Sequence, residues 1–271
     1  MRRLISGMIY ALSGALGVLS FAYPFVRPVA AGTSHSVDAP LLTAALVGLS
    51  VMALIVELQG QAVSAKTVSM LGVLVAFASV LRFLEVAVPM PGGFSPIFAP
   101  IILVGYVFGS RFGFLMGSFT LVVSGLVTGG VGPWLPYQMY TAGWAGLTAG
   151  WVSQALDRVA RRSGRPGLSL RASIAVLCLL GLVWGLLYGA IVNIWFWPYA
   201  VGPVERTWSP GIGFGETLSR YAAFYVLTSL PWDLGRAVGN AALILLLGPP
   251  VVRALTRFRR RFHFEVSTTD A

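Results

Sequence analysis

The residues able to do chemistry are few, and their spacing limits what they can do. Only nine of the 271 residues are acidic. Arg82 and Glu85 stand three apart in the apolar run 67–88, and Asp233 and Arg236 repeat that spacing just after Pro231-Trp232. On a helix, residues three apart share a face and can pair. Charges inside apolar segments are costly, so each pair is either a structural salt bridge or the wall of a polar cavity. Pro231 also frees a backbone carbonyl that the second pair, or a ligand, can satisfy. Gln138 follows Pro136-Tyr137, and Asn193 stands beside Trp195 and Trp197. An amide on an aromatic ledge can hydrogen-bond a neutral organic ligand; bonding between helices is the alternative. Phe94, Trp134, Tyr137 and Trp197 supply candidate aromatic walls. Asn240 reads as a contact between helices, and Glu57, close to Lys66, as structural.

Catalytic and metal-binding patterns are missing from the sequence. It has no Gly-x-x-x-x-Gly-Lys-Ser/Thr phosphate loop, no His-Glu-x-x-His motif and no Gly-x-Ser-x-Gly elbow. His35 and His263 are far apart, and Cys178 is the only cysteine, so neither a metal cluster nor an internal disulfide is expected. No cofactor is expected either. An integral-membrane enzyme acting on a lipid or isoprenoid remains the alternative. It would need Arg82, Glu85 and Asp233 to converge in space.

The solvent that these residues meet follows from composition. The chain is 56% hydrophobic and 10% charged, with a mean hydropathy of +0.80. Globular domains are about 25% charged. Lipid must therefore cover much of the surface, where only helices or closed barrels satisfy the backbone. Apolar runs near 20 residues without strand-like alternation select helices, so an all-α integral membrane protein is expected. Eight spans are predicted, at about 4–24, 40–58, 67–88, 97–110, 112–128, 137–158, 171–196 and 219–252. Residues 1–23 are read as a retained span, since the run lacks a small-x-small cleavage site. The stretches 97–110 and 112–128 are short for a full crossing. The last is long and contains Pro231 and Pro249-Pro250, which predicts a kink or break.

Charge orients the bundle. If Arg2-Arg3 face the cytoplasm, alternation puts 14 of the 19 basic residues on that side, including Arg111, Arg158, Arg161, Arg162 and Arg257. This positive-inside asymmetry predicts a multi-pass protein of the cell membrane with both termini cytoplasmic. The net charge of +10 is then explained by topology and anionic lipid, not by nucleic acid. Three regions are expected: two N-terminal transmembrane helices over 1–62, a six-helix membrane core over 63–256, and a basic cytoplasmic tail over 257–271. The opposite face carries loops at 89–96, 128–136 and 196–219 that are rich in Pro, Gly and aromatic residues. Such loops fix their aromatics in place, which favours a pocket over a simple aromatic belt. Small residues four apart mark helix contacts: Gly7, Ala11 and Ala15; Gly72 and Ala76; and Ala142, Gly146 and Gly150.

Residues 89–151 carry a resemblance. Gly92-Gly93-Phe94, Tyr106-x-x-Gly109, Arg111-x-Gly113 and the loop Gly129-Gly130-Val131-Gly132-Pro133-Trp134-Leu135-Pro136, running on to Gln138 and Gly143-Trp144, resemble the S components of energy-coupling factor (ECF) vitamin importers. The resemblance covers about 67–255, six spans, and leaves the first two helices as an addition. It implies a membrane subunit that binds a small organic vitamin from outside and docks on a T component carrying two cytoplasmic ATPases. Gly72-x-x-x-Ala76 occupies the place of the family's Ala-x-x-x-Ala docking stripe. Trp134, Tyr137, Gln138, Phe94, Arg82, Glu85, Asn193, Trp197 and Asp233 are the expected substrate contacts. The Gly-Pro-Trp loop looks most like S components linked to cobalamin or related corrinoids; thiamine precursors and other heterocycles stay open.

Overall fold

Apolar runs of helical length become eight helices in a computed structural model that describes residues 2–26, 48, 65–88, 91–164 and 167–262. They are α1 (Arg2–Val26), α2 (Ala65–Ala87), α3 (Phe98–Phe108), α4 (Ser110–Thr128), α5 (Leu135–Arg162), α6 (Leu170–Phe196), α7 (Phe214–Thr228) and α8 (Leu230–Phe262). No strand occurs among the described residues. Apart from residue 48, the predicted span 40–58, with Glu57, lies outside the described residues, as do residues 27–39 before it and His263.

Among the described residues, four helices are long and apolar enough to cross a bilayer: Val68–Ala87, Ser110–Thr128, Leu170–Tyr199 and Leu230–Arg260. The chain is a multi-pass helical membrane protein. Helix α3 has 11 residues, about 16 Å at 1.5 Å per residue, roughly half the hydrocarbon thickness. Eight of those residues are buried, because α3 lies among α4, α5, α6 and α8. Protein rather than lipid surrounds it, so its short length leaves no backbone group in hydrocarbon. Helix α5 is long but less apolar. Its glycine-rich face is hidden against α3 and α4.

That face holds a close backbone-to-backbone seam. Along α5, Ala142, Gly146 and Gly150 meet Gly117, Gly113 and Ser110 of α4, and Gly146 also meets Gly105 of α3. The small stripe on α5 is thus an internal contact. The α3–α4 hinge is one residue: Gly109 adopts φ 99°, a conformation open to glycine, while its N–H still bonds to Gly105 O at 2.9 Å. Helix α6 starts on Ser169, whose hydroxyl accepts from the Ala172 N–H at 3.3 Å.

The predicted span 219–252 is two helices. The chain breaks at Ser229 between α7 and α8. Pro231 is the second residue of α8, where its missing N–H would have no helical partner in any case. Pro249-Pro250 lie within α8 without ending it. The helix runs on to Phe262, so the arginines at 257 and 259–261 sit on its last turns.

Candidate functional site

The loop between α4 and α5 builds one wall of a cavity. Gly129 ends α4 in the left-handed region at φ 68°, and the Gly130 N–H closes the turn on Gly125 O at 2.8 Å. The Trp134 indole N–H then donates to Gly130 O at 3.0 Å, folding the ring across Gly132. Beneath it lies a cavity of about 130 Å³ lined by Arg82 of α2, Leu121, Ser124 and Thr128 of α4, Trp134, and Gln138 of α5. Three predicted contacts therefore come from three separate elements to one space. The hydroxyls of Ser124 and Thr128 donate to their own helix, at Leu121 O and Ser124 O. The Gln138 amide has no hydrogen-bond partner among the described residues. Trp134 is 42% exposed, so a single indole hydrogen bond and contacts within its own loop hold this side of the cavity shut.

Behind the cavity is a polar cluster. Arg82 bonds to Glu85 at 2.9 Å, and the Ser95 hydroxyl donates to the other Glu85 oxygen at 2.6 Å. The first pair thus ties α2 to the segment leading into α3. Asp233 and Arg236 pair across the first turn of α8. Tyr188 of α6 is buried beside this second pair and is near enough to both pairs to feel their charges. The Arg236 guanidinium stands over the Tyr188 ring at 5.1 Å and the Phe98 ring at 6.0 Å, and those rings meet edge to face at 4.6 Å. Asp233 is 1% exposed, and its Oδ2 has no hydrogen-bond partner. It presses against Gly189, where any side chain would overlap the carboxylate.

A family model described as ECF transporter, substrate-specific component matches residues 66–248, 183 of the 271 residues. The chain belongs to this family. The S component is a transporter subunit rather than a member of an enzyme family, and the family works with a T component and ATPases. The match begins at the start of α2 and ends within α8, leaving α1 outside. No curated protein and no solved structure matches the chain.

The other expected contacts of this S component stand apart from the Trp134 cavity. Tyr137 turns to α1 and α6, stacked on Trp195 at 5.0 Å and edge-on to Phe21 at 5.0 Å. Trp197 is 1% exposed; its indole donates to Arg206 O at 2.8 Å and its ring packs on Tyr221 and Phe25. Asn193 donates to the Ser229 hydroxyl at the α7–α8 break. Phe94 packs on α8 at Gly239. Asn240 donates to Gly181 O at 3.3 Å, a contact between α8 and α6. Gly72 and Ala76 lie on the exposed face of α2, and nothing comes within 4 Å of a Cβ built at Gly72. Tyr188, Phe98 and Ser95 were not marked by their own positions. The usable signal was Gly181, Gly185 and Gly189, four apart on α6, which meet Asn240, Ala237 and Asp233.

Proposed function

We propose that this S component captures a small heterocyclic micronutrient at the Trp134 cavity, from the face opposite its arginine-rich end. The convergence of Arg82, Trp134 and Gln138 on one space supports this reading most strongly. Arg82 offers guanidinium donors to an acceptor or carboxylate on the ligand. Gln138 offers a free amide, and Trp134 an aromatic face. Small-molecule sites usually occupy about 300–1,000 Å³. A cavity of about 130 Å³ holds one ring, and a corrinoid would require the loops to open far wider. The Gly129–Trp134 turn acts as a lid that lifts when the indole bond to Gly130 is released. Family membership supports an external energy source, a T component with two ATPases, and the exposed Gly72/Ala76 stripe on α2 is the face proposed to meet it. By the positive-inside asymmetry, the arginine-rich end and both termini face the cytoplasm of the cell.

Trp134→Ala and Gln138→Ala are each expected to weaken binding of the co-purified ligand by about 1–3 kcal/mol, through lost contact and an unpaired polar group. Titration calorimetry on protein stripped of ligand reads this directly. Unchanged affinity in both variants removes the cavity from consideration. Ala76→Leu is expected to reduce co-purification with the T component and leave ligand affinity intact, since a larger side chain holds two helix backbones apart. Undiminished assembly moves the docking face elsewhere.

A further inference from the structure

The opposite end of the bundle contains a second cavity, of about 990 Å³, between the ends of α3, α5, α6 and α8. Arg253, Arg257, Arg259 and Arg260 of α8 line it, and the one acid among its lining residues is Asp157 of α5. Four cations and one anion leave it with a formal charge of +3. Residues 253, 257 and 260 follow the four- and three-residue steps of one helix face. Like charges so placed repel. Arg259 has a structural role: it donates to Val107 O at 2.6 Å, at the C-terminal end of α3 where carbonyls lack helical partners. Arg253, Arg257 and Arg260 have no partner among the described residues. On the far wall the Tyr106 hydroxyl donates to Ser173 at 3.0 Å, which leaves the hydrogen of the buried Ser173 hydroxyl to be given elsewhere. The remaining lining has the apolar side chains Val107, Leu168, Leu170 and Val252 together with the hydroxyls of Ser153 and Thr256.

We propose that this cavity binds a phosphate-bearing anion, held by Arg253, Arg257 and Arg260 with Ser173 as a neutral donor. Guanidinium forks match phosphate oxygens, and repelling arginines on one helix face gain most from such a ligand. An anionic phospholipid headgroup, its glycerol end against the apolar side chains of the lining, and a free phosphate share this chemistry. The proposal is independent of the substrate cavity.

The test uses the full-length protein in detergent, with native mass spectrometry after incubation with phosphatidylglycerol or phosphatidylcholine. Wild type is expected to retain phosphatidylglycerol preferentially, and Arg257→Gln/Arg260→Gln to lower that retention by about tenfold. Arg161→Gln/Arg162→Gln removes the same charge outside the cavity and is expected to leave retention unchanged. In lipid-free detergent, a rise in Tm with inorganic phosphate but not with chloride of equal ionic strength, lost in the cavity variant, identifies the free anion as the ligand. Equal loss of retention in both double variants overturns the site, as does failure of both ligands to distinguish wild type from the cavity variant. If the cavity variant does not fold, Asp157→Asn replaces it. Removing the acid is expected to strengthen retention, and no change overturns the proposal.

Discussion

Gly146→Ala is expected to abolish the folded bundle. A single methyl at this position falls inside the carbonyl of Gly113 and within 2.9 Å of Gly113 Cα. The obstacle is backbone, so no side chain can rotate away. Overpacking in cores that can adjust costs about 1–3 kcal/mol. Here α4 and α5 must separate, and the contacts of Gly117 with Ala142 and of Ser110 with Gly150 go with them, so the cost exceeds about 3 kcal/mol. Gly72→Ala is the control, because a Cβ there meets nothing within 4 Å. Size-exclusion profiles and thermal unfolding in one detergent give the comparison. Gly146→Ala protein that is monodisperse with an unchanged Tm would mean that the two backbones are not in contact.

The seam explains why much of this fold is legible in its sequence. Helices in lipid gain from close backbone approach, so small residues four apart record the contact of α4 with α5, although Gly72 of α2 has the same spacing and meets nothing among the described residues. Ala142, Gly146 and Gly150 belong to that record, and their partners Gly113 and Gly117 show the same spacing. Helix limits are legible where glycine or proline bounds an apolar run. The predicted 112–128 and 171–196 correspond to Ser110–Thr128 and Leu170–Phe196. Limits fail where the solvent changes rather than the backbone. The arginines at 257 and 259–261 end the apolar run but not α8, since a helix leaving hydrocarbon still satisfies its own backbone. The kink or break expected from the prolines of 219–252 falls at Ser229, because Pro231 starts α8 rather than bending it.

The site is legible in part. The Gly-Pro-Trp loop and Gln138 bear on one cavity because loop and helix start are adjacent in sequence. Arg82 reaches it only through the packing of α2 on α4, which spacing does not encode. Aromatic residues are ambiguous for a physical reason. Tyr137 and Trp197 are as suited to packing α1 and α7 against the bundle as to holding a ring, and both are used in packing. Asn193 has the same ambiguity, and it serves the α7–α8 break through Ser229.

Arg236→Met is expected to cost about 3–5 kcal/mol, the range for removing one partner of a buried ion pair. Asp233, at 1% exposure, would lose its paired cation with no water to take its place. Methionine preserves contact with the Tyr188 and Phe98 rings that Arg236 now covers, so the loss reports charge more than volume. Asp233→Asn/Arg236→Met removes both charges while keeping the close fit of residue 233 against Gly189. It should recover most of the stability, because a buried pair is worth little more than a neutral replacement of similar shape. Denaturant unfolding of wild type, both single variants and the double variant completes the cycle. A fully stable Arg236→Met would contradict the buried pair. The double variant also separates scaffold from site. If it is stable yet has lost ligand affinity, the substrate reaches past Arg82 to the Tyr188 cluster. If affinity is intact, recognition ends at Arg82, Trp134 and Gln138, and the second pair exists to hold α6 and α8 together.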